Sequence, residues 1–85
     1  MKLQTRLLSG KLYNYYHEAI PHTICGGSIF YDLIRADNCV MVFSHDIVQD
    51  EYGIRHDVEI LSCDGTTGKI VSRHDVSQLF KLIEH

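Results

Sequence analysis

From residue 28 onward, apolar residues come in short runs broken by turn-forming residues, a pattern that predicts strands joined by tight connections. Ile29-Phe30-Tyr31-Asp32-Leu33-Ile34 is rich in aromatic and β-branched residues and is followed by the turn chemistry of Arg35-Ala36-Asp37-Asn38, which predicts a first strand. Cys39-Val40-Met41-Val42-Phe43 is continuously apolar and runs on through Ser44-His45-Asp46-Ile47-Val48, the central strand of this reading. Gln49-Asp50-Glu51-Tyr52-Gly53 is polar and ends in glycine, predicting a hairpin before a strand over residues 54–63. Asp64-Gly65-Thr66-Thr67-Gly68 is the sharpest turn signal in the chain and leads into Lys69-Ile70-Val71-Ser72-Arg73, so these strands form a meander.

Val40 and Val42 point to one face of the central strand, while Cys39, Met41 and Phe43 point to the other. A sheet with one wet face should alternate apolar with polar, so this strand needs cover on both sides, from the amino-terminal segment or from another molecule.

Two segments admit two readings each. After Arg73, Ser72 can cap a helix whose Val76, Leu79, Phe80 and Ile83 share a face. The alternative is a 3₁₀ turn at His74-Asp75-Val76-Ser77 and a closing strand over residues 79–83. Near the amino terminus, Leu12, Tyr15, Tyr16, Ala19 and Ile20 share a helical face ended by Pro21, and a hairpin about Ser9-Gly10 competes. Cys25-Gly26-Gly27-Ser28 is the best boundary, dividing an amino-terminal extension, residues 1–27, from residues 28–85.

The order of strands and turns resembles the small SH3-like barrels of bacterial and phage proteins. The resemblance runs over residues 31–83. It is carried by Tyr31-Asp32-Leu33-Ile34, the apolar strand from Val40, the acidic loop ending at Gly53, the strand from Asp57 to Leu61, the Asp64-Gly65 hairpin, Gly68-Lys69-Ile70-Val71-Ser72 and the Asp75-Val76 turn. It implies a mainly β fold (β or α+β): a five-stranded antiparallel SH3-like barrel with a helical or hairpin amino-terminal extension, and the strand reading of residues 79–83. It also implies an accessory protein of a phage or mobile element. Leu12-Tyr13-Asn14-Tyr15 echoes the aromatic motif of signalling SH3 domains but lies upstream of the barrel. The chain has no tryptophan to grip proline-rich ligands, so that activity is not carried over.

Eighty-five residues with 45% apolar content and a single proline fit one globular domain. A core of that size leaves a homodimer open as a source of added stability. The formal charge of −3 argues against a general binder of phosphate backbones, although six histidines make charge-dependent association sensitive to pH. Cys25, Cys39 and Cys63 lack metal-ribbon spacing and are expected to be reduced and buried. No stretch approaches the roughly 20 apolar residues of a membrane span. Met1-Lys2-Leu3-Gln4-Thr5-Arg6 does not lead into a signal-peptide core, and a cytoplasmic setting is expected.

Candidate chemistry is sparse. The pairs His45-Asp46, His56-Asp57 and His74-Asp75 offer imidazole and carboxylate donors. With a turn near residues 50–52, His45 falls opposite Asp57 and Asp46 opposite His56. That set reads as cross-strand stabilisation first and as a metal site, His45, Asp57, His56 and Asp46, as the alternative. Cys25, beside Gly26-Gly27 and near His22, is the one local arrangement resembling a nucleophile with a base. Gly26-Gly27-Ser28 lacks the lysine and spacing of a phosphate loop. Tyr13, Tyr15, Tyr16 and His17 form the expected contact surface for another protein, since tyrosine supplies a large apolar area with a polar tip. Arg55, Lys69, Arg73 and Tyr31, or Phe30 in place of Tyr31, would serve a small-barrel nucleic-acid binder. The leading expectation is a protein-interaction module that is not an enzyme and uses no cofactor. Nucleic-acid binding and metal binding are the alternatives.

Overall fold

The computed structural model describes residues 6–83, so the first five residues of the stretch weighed against a signal peptide lie outside the described residues. Eight elements follow one another. They are β1 (Leu12–Tyr15), β2 (Thr23–Cys25), α1 (Gly27–Asp37), β3 (Cys39–Asp50), β4 (Gly53–Leu61), β5 (Thr67–Ser72), a 3₁₀ turn (Val76–Leu79) and β6 (Phe80–Leu82). All strand pairings are antiparallel, in the order β2-β5-β4-β3-β1-β6. The six strands curl into a half-barrel, a mainly β fold with one helix and one strand more than the five expected.

The β3-β4-β5 meander forms where the turn residues predict it. Between β3 and β4, the Asp50 carboxylate accepts the Tyr52 backbone N–H at 2.9 Å and Gly53 supplies φ of +113°. Between β4 and β5, Asp64 accepts from the Ser62 hydroxyl at 2.5 Å and from the Thr66 backbone N–H at 2.9 Å. The carboxyl-terminal ambiguity resolves as the 3₁₀ turn and closing strand. Asp75 caps that turn, accepting the Ser77 N–H at 3.0 Å, and Phe80–Leu82 then pairs with β1.

Residues 29–34, expected to be a strand, lie within α1. Composition favoured β structure, but the spacing is helical: Phe30 and Ile34, four apart, are both buried, and Ile29 on the other side is exposed. Gly26, at φ of +141°, turns the chain out of β2 into the helix. Asn38 ends the helix in the left-handed conformation, with its N–H donating to the Ile34 carbonyl at 3.1 Å. The Phe30 ring packs onto Gly68 of β5 so closely that a Cβ there would meet ring carbon at 2.2 Å.

The amino-terminal segment takes neither the helix nor the local hairpin. β1 instead sits between β3 and β6, with Leu12 opposite Met41 and Tyr13 opposite Leu82, so two strands satisfy its backbone. The boundary expected at residue 27 therefore falls inside a single sheet-and-helix body, because β1 and β2 are strands of the same sheet. The inner face carries Tyr13, Tyr15, Val40, Val42, Val58, Ile60 and Ile70, with Phe30, Ile34, Val76, Leu79 and Phe80 completing the core. Among the described residues, no helix is long and apolar enough to cross a membrane.

One irregularity organises both faces. Met41 pairs with Leu61 and Val42 with Ile60, but beyond the bulge at Phe43 and Ser44 the register shifts, so that Ser44 pairs with Glu59 and His45 with Val58. Before the bulge, even-numbered residues of β3 point inward. After it, odd-numbered residues do.

Candidate functional site

The tyrosine segment divides by strand alternation. Tyr13 and Tyr15 are buried, Tyr16 is 48% exposed and His17 is half-buried, so the four expected contact residues do not form one surface. Leu12 and Tyr16, two residues of the expected helical face, are exposed. Tyr15 donates its hydroxyl to His22 Nε2 at 2.5 Å, because His22 Nδ1–H is committed to the Ile20 carbonyl at 2.8 Å. Burial, with Tyr31 adding, pushes the Tyr15 hydroxyl well above the ordinary phenol range, the opposite of what a proton-transfer role needs. With both ring nitrogens engaged, His22 has none free to activate Cys25. His17, Ile20, Pro21, His22, Ile24 and Tyr31 line a shallow depression of about 330 Å³ above this pair.

The register shift corrects the expected pairing of the His-Asp doublets. His45 lies opposite Val58, His56 opposite Ile47, and Asp46 opposite Asp57. Both imidazoles therefore enter the inner face, where His45 is 4% and His56 0% exposed, and the two carboxylates turn to the outer face. His45, Asp57, His56 and Asp46 do not converge. Among the described residues, no group of three or more His, Cys, Asp or Glu side chains is placed to hold a metal.

The two imidazoles form a directed chain. Leu7 N–H donates to His45 Nδ1 at 2.9 Å, which places the His45 proton on Nε2. That N–H donates to His56 Nδ1 at 2.8 Å, which places the His56 proton on Nε2. His56 Nε2 is buried, with no hydrogen-bond partner among the described residues. Burial, then His56 and Arg6, lower the His45 pKa to about 4 against the opposing pull of Asp75 and Asp46. Burial lowers that of His56, against Asp75 and Asp57. Both rings are neutral at neutral pH. This neutral core pair was missed because nothing in the sequence marks the bulge that turns it inward.

Of the residues of the nucleic-acid alternative, Arg55 and Arg73 line one depression with His22 and His74, but carboxylates pair with both guanidinium groups, and Lys69 and Tyr31 do not line it. Arg55 is bidentate to Asp57 at 2.9 and 3.1 Å, and Arg73 is bidentate to Asp50 at 2.7 and 2.8 Å. The Arg73 hydrogen bonds hold the Asp50 carboxyl down to about 2. Lys69 is flanked in register by Glu59 and Cys25, while Tyr31 lies on α1, its ring edge-on to His17 at 5.9 Å.

The outer face keeps the apolar character read from the central strand. Leu12, Met41 and Leu61 form one row across β1, β3 and β4, with Cys39 beside them and Phe43 at the bulge. Leu12 is 43% and Phe43 39% exposed, while Met41 and Leu61 are half-buried. The cysteines depart from expectation: Cys25 and Cys63 are exposed and Cys39 is half-buried.

Comparisons with protein-family models, with curated proteins and with solved structures find no match.

Proposed function

We propose that this chain is a non-catalytic protein-interaction module whose contact surface is the outer face of the half-barrel. The observation that carries the reading is the Leu12-Met41-Leu61 row with Phe43, in which Leu12 and Phe43 are exposed and Met41 and Leu61 half-buried, on the face opposite the core. Contiguous exposed apolar surface of this kind favours a protein partner over water. The hydroxyl of Tyr15, held neutral, and the fully engaged ring of His22 count against catalysis. The pairing of Arg55 and Arg73 with carboxylates counts against a nucleic-acid role.

The test uses the full chain. Removing residues 1–27 would delete two strands, so surface substitutions are the better probe. Wild type and a Leu12→Lys, Phe43→Lys double variant are compared by sedimentation equilibrium and by capture of partners from the native host's extract. The wild type is expected to show an association that the variant loses while its circular-dichroism spectrum is unchanged. A wild type that neither self-associates nor captures a protein, or a variant that keeps every association, overturns the proposal.

A further inference from the structure

The β3-β4 hairpin is closed at one end by the Asp50-Gly53 turn, and its other end carries two thiols. The β3-β4 ladder ends with Met41 opposite Leu61, and continuing its alignment two residues past that end brings Cys63, in the turn after β4, toward Cys39. Both side chains leave the outer face, because Val40 and Ser62 between them and the paired strands are buried inward. The Cys63 Sγ lies 3.5 Å from the Cys39 carbonyl oxygen, which brings it over the start of β3. The two cysteines line one depression of about 230 Å³ with Leu12, Met41 and Leu61, and are open to small reagents. Directly opposed residues of an antiparallel pair have Cα atoms about 4.5 to 5.5 Å apart, within the span that a disulfide bridges.

We infer that Cys39 and Cys63 are a cross-strand dithiol that closes into an intrachain disulfide, stapling the open end of the β3-β4 hairpin, by exchange with a low-molecular-weight disulfide. One protein thiolate attacks a sulfur of the small disulfide, forming a mixed disulfide and releasing one small thiolate. The second protein thiolate then attacks the protein sulfur of that mixed disulfide, forming the Cys39–Cys63 bond and expelling the second small thiolate. The two protons lost by the cysteines end on the two released thiols, and two electrons pass to the small disulfide.

Burial, with Asp37, Cys39 and Asp64 adding, pushes the Cys63 thiol up. A thiol held high carries little thiolate at neutral pH, so closure is slow there and accelerates as pH rises. Cys25 pairs in register with Lys69 on β5 and stands apart from the other two. The inference does not depend on which partner the outer face binds.

The experiment incubates the reduced full chain with glutathione disulfide at mildly alkaline pH, alkylates free thiols and maps peptides by mass spectrometry. In wild type and in Cys25→Ser, residues 39 and 63 are expected to be linked in one monomeric chain with the loss of two hydrogens, and in wild type Cys25 is expected to be alkylated or glutathionylated. Cys39→Ser and Cys63→Ser are expected to stop at the mixed disulfide. Phenylarsine oxide, which bridges only adjacent thiols, is expected to protect Cys39 and Cys63 from alkylation in wild type and in Cys25→Ser, and to leave the thiols of the other two variants open. The proposal is overturned if wild type accumulates separate glutathione adducts on Cys39 and Cys63, if the linkage includes Cys25 or joins two chains, or if the arsenical gives no protection.

Discussion

Acidification should unfold this protein through its buried imidazoles before its carboxylates. His45 is 4% exposed and donates to His56, and its pKa lies at about 4 when folded against about 6.5 when unfolded. Between those values the unfolded chain binds a proton that the folded chain refuses, so stability rises with pH across the window. The contribution is complete above about pH 6.5 and lost as pH falls toward 4. A separation of about 2.5 units at about 1.4 kcal/mol each amounts to about 3.5 kcal/mol from His45. His56 acts in the same direction, since its pKa is also lowered. For a domain of this size that is a large share of the total. Protonating His45 Nδ1 also turns the acceptor of the Leu7 N–H into a donor, so the amino-terminal segment should detach first. The paired Asp50 titrates near 2 and leaves the window clear. Urea unfolding followed by circular dichroism at intervals from about pH 7.5 to 4 measures the slope. His45→Gln, which can accept from Leu7 and donate to His56 without titrating, should flatten most of it. A wild-type stability that does not fall across this range, or a variant with the wild-type slope, refutes the reasoning.

Other outcomes follow from packing and backbone geometry. Gly68→Ala should cost about 1 to 3 kcal/mol in urea unfolding, because its methyl would press into the Phe30 ring of a filled core. Phe30→Ala should cost about 3 to 5 kcal/mol by leaving a cavity between α1 and β5, and it should relieve much of the penalty of Gly68→Ala in the double variant. Asn38→Ala should cost about 1 kcal/mol by placing a less tolerant residue at φ of +58°, and Asn38→Gly should not, as read by thermal unfolding. Closing the Cys39–Cys63 staple across 24 residues should raise stability by about 3 kcal/mol over the reduced form in matched urea titrations.

What was legible in the sequence was what local chemistry controls. The Asp50-to-Gly53 and Asp64-Gly65 turns formed where their residues placed them, whereas the amino-terminal segment expected as a cover for the doubly apolar β3 joins the sheet beside it as β1. The closing 3₁₀ turn and strand were one of two readings, favoured by resemblance alone, and the Asp75 cap that sets the turn was not read from the sequence. α1 was misread because Phe30, Tyr31 and Ile34 favour strands by type, while their burial follows helical spacing set by the glycine turn before them. β1 was undecidable locally, since both its partners are distant in sequence. The histidine site failed by a single residue. The expected pairing of His45 with Asp57 continues the register that holds at Met41 and Leu61, but the bulge at Phe43 and Ser44 interrupts it. With period-two alternation, a slip of one exchanges inside for outside.

That slip underlies the buried imidazole chain, so the most direct test is the β3-β4 register in solution. Cross-strand nuclear Overhauser contacts in isotope-labelled protein should join Ser44 to Glu59 and Ile47 to His56, with both imidazoles neutral and protonated on Nε2. Contacts joining His45 to Asp57 would turn the imidazoles outward and contradict the account.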